Sequence, residues 1–232
     1  LTEPSTMLRR VALLVSIIAP AIASTAAAQS QRISNTALAQ ITDSLANAAI
    51  RGGPVAALSI AVIRGRDTVV MKGYGLADIE NEVPATAQTV YRIGSVTKQF
   101  TSVAVMQLVE EGKVSLDDEV TKYIPGYPTR GRRVLVRHLM NHTSGIPSYT
   151  DVGPEFGRKM RLDLPHDSLL AIVRDDSLQF DPGSHFYYNN TGYYMLGMII
   201  ERVTGKSYGE YLREKLFEPA GLKSTGYPWE GK

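Results

Sequence analysis

The chain has 232 residues, no cysteine, and a formal net charge of +2 from 25 basic and 23 acidic side chains. With 44% hydrophobic and 8% aromatic residues it can bury a core, which excludes disordered and fibrous classes, and its charge balance excludes the broad basic surface of a nucleic-acid binder. The absence of cysteine excludes disulfide scaffolds, thiolate zinc sites, a thiol nucleophile and a lipoprotein cysteine, so any covalent catalysis needs another nucleophile.

The first 28 residues read as a secretory signal peptide. Met7, Leu8, Arg9 and Arg10 form a basic start, Val11 to Ala23 an apolar stretch, and Ala26, Ala27 and Ala28 a small-residue cleavage site. This predicts a mature chain from about Gln29, exported to the periplasm or the extracellular space. The apolar run is shorter than the roughly 20 residues a membrane span needs and contains Ser16 and Pro20, so no stable span is expected after cleavage. Leu1 to Thr6 precede the first methionine and read as upstream frame.

From Ile33 to Arg51 the spacing of Leu38, Ile41, Leu45 and Ala48 predicts an amphipathic helix, stopped by Gly52, Gly53 and Pro54. Val55 to Arg64 and Thr68 to Tyr74 are β-rich runs separated by Gly65, Arg66 and Asp67, which predicts a hairpin. Ser95 to Glu111 carries apolar residues on more than one face and ends at Gly112, as expected of a helix inside a protein. Short helical patches follow at Val136 to Asn141 and Ser168 to Asp175, between loops around Pro125, Pro128, Pro147 and Pro182. Two stronger helices close the chain. Thr191 to Thr204 stops at Gly205, and Ser207 to Phe217 opens with Ser207 and Glu210 at capping-box spacing. Two strands do not form a stable sheet alone, so either helices cover the hairpin or more strands follow Lys232.

One serine has a lysine three residues on: Ser95-Val96-Thr97-Lys98, at the start of the apolar helix. At that spacing both side chains share a face, and the positive helix terminus disfavours the ammonium and favours a nearby oxyanion. A desolvated Lys98 could then serve as base to Ser95. The competing reading makes Ser95 a helix cap and Lys98 a surface lysine. A second candidate is the turn-rich stretch Pro182 to Tyr193. There Tyr188 with Asn190, or Tyr187 with Asn189 in the other register, could supply a phenolic proton shuttle and an amide that positions a substrate carbonyl or the lysine. Ordinary turn chemistry, with Asn190 capping the next helix, is the alternative.

Four segments in order, Tyr91 to Lys98, Glu111 to Asp118, Leu139 to Ile146 and Pro182 to Tyr193, resemble the serine β-lactamase and penicillin-binding protein superfamily. The likeness runs from about Ala57 to Tyr227. Tyr188-Asn189-Asn190 resembles the Tyr-Ser-Asn motif of class C β-lactamases and their esterase and D-Ala-D-Ala carboxypeptidase relatives, and the Pro-Gly and Phe186 spacing selects Tyr188 over Tyr187. Asn189 stands where the family more often has Ser or Ala, a departure expected to be tolerated because that side chain is not a chemical actor.

The resemblance implies an α/β (α+β) fold, with helices packed on an antiparallel sheet, an all-α region from about Glu110 to Phe217, and the active site where they meet. It implies one hydrolase domain over residues 29–232, incomplete at its C-terminus, with no cofactor and no metal. It assigns a Ser95 acyl-enzyme, proton handling to Lys98 and Tyr188, substrate orientation to Asn190, and half an oxyanion hole to the Ser95 backbone N–H. Substrates would be β-lactams, D-Ala-D-Ala peptides of peptidoglycan, or small esters. The family's third motif, Lys-Thr-Gly or His-x-Gly on a strand, is absent: no histidine follows Asn190, and Lys223-Ser224-Thr225-Gly226 reads as a turn. Losing one oxyanion donor costs on the order of 10² to 10³ in rate. A noncatalytic penicillin-binding or sensor domain of the same fold is the alternative, decided by whether a third motif follows Lys232.

Three rival motifs fare less well. Gly205-Lys206-Ser207-Tyr208-Gly209 matches the Gly-x-Ser-x-Gly elbow but follows a predicted helix rather than a strand. His138 and His142 have zinc-ligand spacing, but Leu139 stands where a metalloprotease has glutamate. Gly73-Tyr74-Gly75 leaves a strand without opening a helix, so a nucleotide loop is unsupported.

Overall fold

A computed structural model describes residues 33–159, 162 and 164–227, and the predicted signal peptide lies outside them. The chain divides after Val90 into two compact units.

The first unit is a helix and a small antiparallel sheet. Helix α1 (Asn35–Gly52) begins at Ser34, whose side chain accepts the Ala37 N–H. Strands β1 (Ala57–Arg64) and β2 (Asp67–Asp78) pair around a two-residue turn in which Gly65 takes φ +63°. The expected second strand thus runs past Tyr74. A two-residue strand β3 (Val83–Pro84), unforeseen in the sequence, pairs with the far end of β2 and makes the sheet three-stranded.

The face of α1 turned to the sheet is also not the expected one. Ile41 and Leu45 are exposed, whereas Leu38, Thr42, Asp43, Ala46 and Ile50 are wholly or partly buried. A polar anchor sets this rotation: Asp43 Oδ1 accepts from Tyr74 OH at 2.7 Å and Lys72 Nζ at 2.8 Å, both on β2. Hydrophobic periodicity alone could not register that bond. The two glycines around Tyr74 are there for close approach. A Cβ on Gly73 would lie 2.4 Å from the Ala85 and Thr86 backbone, and one on Gly75, at φ +76°, 2.1 Å from Ala56 O.

The second unit is helical. A 3₁₀ turn (Gly94–Val96) leads into α2 (Thr97–Glu110), followed by α3 (Val120–Tyr123), α4 (Val136–Met140), a 3₁₀ turn (Tyr149–Asp151), α5 (Pro154–Lys159), α6 (His166–Leu170), α7 (Asn190–Thr204) and α8 (Tyr208–Leu212), which continues as a π turn (Arg213–Phe217). The helix expected over Ser168 to Asp175 begins earlier and gives way to turns after Leu170. Helix α7 is the centre of the core: Met195, Leu196, Ile199 and Ile200 are fully buried among Leu108 of α2, Leu139 of α4 and Tyr211 of α8. Helix α2 is less enclosed than its composition suggests. Thr101, Ala104, Val105 and Leu108 form its buried stripe, and Val103 and Met106 on the other side are exposed. Among the described residues no helix is long and apolar enough to cross a membrane.

Candidate active site

The serine and the lysine come from one turn. Gly94, at φ +51°, directs the chain into the 3₁₀ turn that carries Ser95, and α2 continues it one residue before Lys98. Lys98 Nζ lies 3.3 Å from Ser95 Oγ, so the i, i+3 pair meets as its spacing predicts. The Ser95 N–H belongs to the first turn, where backbone donors have no partner within the helix.

Tyr188 arrives from the turn before α7, 93 residues beyond Ser95, and Asn190 is the first residue of α7, 92 residues beyond Lys98. Tyr188 OH donates to Ser95 Oγ at 2.7 Å, and Asn190 Oδ1 accepts from Lys98 Nζ at 2.7 Å. Ser95, Lys98, Tyr188 and Asn190 therefore form one connected cluster, all in the second unit. Ser95, Lys98 and Asn190 line a groove that Tyr149, Tyr193, Tyr194 and Tyr208 also line. Tyr187, the alternative register, turns away and donates to Asp151 Oδ2 at 3.1 Å.

Lys98 is half-buried, and its ammonium lies over the rings of Tyr188 and Tyr193, 4.6 and 5.4 Å from their centroids. Burial pushes the Tyr188 phenol up, but contact with Lys98, the bond to Ser95 and the Lys98 charge outweigh it and hold the phenol below its ordinary range. A phenol so placed can give up its proton beside a serine hydroxyl more readily than a free tyrosine.

The scaffold under this tyrosine is the Asn141 to Ile146 segment. His142 O accepts the Tyr187 N–H, Thr143 O the Gly183 N–H and Gly145 O the Gln179 N–H. His142 itself takes φ +62°, and its Nδ1 accepts the Asn189 N–H at 3.1 Å. Its ring is tilted against those of Tyr188 and Tyr193, with centroids 4.7 and 5.0 Å away. Burial first, then the Lys98 charge, lowers the His142 imidazole below its usual value. His138 Nδ1 likewise accepts a backbone donor, the Leu135 N–H. Both histidines of the zinc-like pair thus hold backbone, and among the described residues no cluster of three or more His, Asp or Glu could hold a metal ion.

Asn189 has more to do than the sequence suggests. It is 2% exposed and caps α7, with Oδ1 accepting from Gly192 N at 2.6 Å and Nδ2 donating to Ile146 O at 2.5 Å. The alternative reading of this loop puts the cap at Asn190, one residue on. The sequence does not separate the two, because each asparagine has a backbone N–H three residues ahead, Gly192 for Asn189 and Tyr193 for Asn190. Ser207 is a helix cap, accepting from Glu210 N, and the segment before it is α7 rather than a strand, so it does not form an elbow. Lys223 and Ser224 lie in a turn, as expected.

The chain belongs to the beta-lactamase family, whose model matches residues 42–231. It is similar to Protein flp of Staphylococcus aureus (strain MW2), 32% identical over 200 residues that cover 84% of this chain and 39% of that protein. The chain thus spans about two fifths of the length of the curated relatives it matches. Two solved structures share the fold. The octameric penicillin-binding protein homologue from Pyrococcus abyssi is 38% identical with TM-score 0.69, covering 80% of this chain and 43% of the other. The D-amino acid amidase from Ochrobactrum anthropi SV3 is 33% identical with TM-score 0.68, covering 79% and 49%. The family is one of serine hydrolases, and the proteins similar to this chain include penicillin-binding proteins, a D-amino acid amidase and EstCE1, a hydrolase with promiscuous acyltransferase activity.

Proposed function

We propose that this chain carries the nucleophile of an exported serine hydrolase that works through an acyl-enzyme on Ser95, with β-lactams, D-Ala-D-Ala peptides or small esters as substrates. The observation that carries the reading is the position of Ser95 Oγ, 2.7 Å from the Tyr188 phenol and 3.3 Å from the Lys98 ammonium. Ionised Tyr188 takes the Ser95 proton as Oγ attacks the substrate carbonyl. Lys98, held by Asn190 Oδ1, stabilises the phenolate. The Ser95 N–H receives the developing oxyanion. Tyr188 then returns the proton to the departing amine or alkoxide as the carbonyl–heteroatom bond breaks, leaving an ester on Ser95. Water, deprotonated by Tyr188, attacks that ester; the acyl–Oγ bond breaks, the carboxylic acid leaves, and Oγ recovers the proton from Tyr188, which closes the cycle.

Family membership supports the hydrolytic class, and the penicillin-binding and D-amino acid amidase relatives support amide substrates bearing D-residues. The basic, apolar and small-residue pattern of Met7 to Ala28 supports export. The test is to expose the full chain to a fluorescent penicillin and to a fluorophosphonate and map the adduct by peptide mass. One adduct on Ser95 is expected, with turnover of a cephalosporin, a D-Ala-D-Ala peptide or a nitrophenyl ester identifying the substrate. An adduct on Ser207 instead would overturn the assignment.

A further inference from the structure

Lys98 Nζ carries only donors, so the Asn190 atom facing it at 2.7 Å has to be the carbonyl Oδ1. An asparagine amide is nearly symmetric in shape, and flipped by half a turn it would set its NH₂ against the ammonium. Something must hold it. The only bond described for the far end of that amide is Asn190 Nδ2 to Thr150 Oγ1, at 3.0 Å. For Thr150 to accept there, its own proton must point elsewhere, and it does: Thr150 donates to Asp151 Oδ1 at 3.2 Å.

The rest of the network agrees without a mismatch. Thr150 and Ser148 hydroxyls are 2.9 Å apart, and because the Thr150 proton is committed to Asp151, Ser148 is the donor. That leaves a Ser148 lone pair for the Asn190 backbone N–H, at 3.2 Å. Ser148 is 2% exposed, so this arrangement is built into the interior rather than formed at the surface. Every hydroxyl donates once, and the donor chain ends on a carboxylate that can only accept. Tyr187 fills the other carboxylate oxygen, at 3.1 Å from Oδ2.

We propose that Thr150, with its hydroxyl directed by Asp151, is the positioning residue that locks the Asn190 amide in the orientation holding Lys98 against Ser95. The inference rests on the Ser95 reading above. Neither Thr150 nor Asp151 touches the serine, so both act through Asn190. With the lock removed, the amide samples the flipped form, Lys98 loses its only described carbonyl partner, and the ammonium drifts from Ser95 and Tyr188. Misplacement of this kind affects the chemical step more than encounter with the reagent.

The experiment follows labelling of the full chain by a fluorophosphonate, resolving the maximal inactivation rate from the concentration for half-saturation, with a thermal melt of each variant. Thr150→Val keeps the shape and removes the hydroxyl. It should lower the maximal rate about tenfold or more while half-saturation changes less than about threefold. Thr150→Ser keeps the hydroxyl and should return to within about threefold of the parent. Asp151→Ala should fall between the two.

A Thr150→Val protein that melts like the parent and labels at its rate overturns the inference. So does a Thr150→Ser protein as slow as Thr150→Val, since the hydroxyl would then not be the active feature. If Thr150→Val does not fold, Asp151→Ala decides: parental rates refute the lock and a reduced maximal rate supports it. A parent chain that never labels at Ser95 refutes the Ser95 reading before any variant is made, and this inference falls with it.

Discussion

The two arms of the site are built differently. The Ser95 arm is an exposed turn whose shape comes from the backbone alone, with a positive φ at Gly94, a 3₁₀ turn and no side-chain cap. The Tyr188 arm is clamped: His142, Ile146, Ser148 and Thr150 all bond to Asn189 or Asn190, and Asn189 is buried. The lesson is a division of labour. A nucleophile must be reachable, so its turn stays open. Tyr188 is also exposed, but it and Asn190 must not wander, so bonds to buried Asn189 and Ser148 hold the segment that carries them.

The bluntest way to break this contrast is to remove the exposed partner. Ser95→Ala should abolish both the covalent adduct and turnover, while Ser207→Ala, which removes a helix cap, should label at the parental stoichiometry. Peptide mass mapping reads both.

Next come the phenol that moves the proton and the lysine that stabilises its ionised form. Tyr188→Phe and Lys98→Ala should each lower turnover by roughly 10² or more with smaller effects on KM. Tyr187→Phe removes only a donor to Asp151 and should cost no more than a few-fold. The pH profile sharpens the distinction. Because the Tyr188 phenol is held below its ordinary range, its active phenolate gains population as pH rises, so kcat/KM should climb with an apparent pKa under 10. Lys98→Ala removes the charge that favours phenolate and should move that rise to higher pH. An unmoved rise in Lys98→Ala would show that Tyr188 is not the titrating group.

Much of the cluster was legible in the sequence, because Ser95 to Lys98 is a local helical spacing and Tyr188 to Asn190 a motif whose register the neighbouring Pro182, Gly183 and Phe186 fix. What was not legible depends on contacts between distant segments. Asn189 looks inert as a letter and is structural only because Ile146 O and Gly192 N converge on it. Thr150 and Ser148 carry no motif and matter only through Asn190, 40 and 42 residues away. The rotated face of α1 has the same cause, since its Asp43 reaches Tyr74 across 31 residues of chain. Strand β3 was missed because two residues, one of them proline, show no alternation.

The clamp itself can be tested by stability. Asn189→Ala leaves Ile146 O without that bond and α7 without its cap. Loss of a cap and of a buried bond together should destabilise by about 2–3 kcal/mol, roughly 5–10 °C in Tm. Asn189→Ser can still cap Gly192 N but is too short to reach Ile146 O, so it should recover about half. Equal melting of Asn189→Ala and the parent would mean that the Tyr188 arm is held by His142 and Ser148 without it.

The smallest effect is a pH dependence of the same clamp. His142 Nδ1 can accept the Asn189 N–H only while unprotonated, and burial and the Lys98 charge also favour the neutral ring, so the folded-state pKa lies below the usual 6.5. Around the ring lie Lys98 and the phenols of Tyr188 and Tyr193, of which Lys98 brings positive charge. Below pH 6.5 the unfolded chain binds a proton at this position that the folded chain refuses, so the stability His142 contributes is full above that pH and declines as pH falls toward the folded value. His138, lowered by burial and by Arg137, acts in the same direction. Tm should therefore drop as pH falls below about 6.5. His142→Asn keeps an acceptor, tolerates φ +62° and cannot titrate, so it should shallow that drop without removing the His138 share. A parental slope in His142→Asn would place the acid sensitivity elsewhere and show that the clamp on Asn189 does not depend on the state of the imidazole.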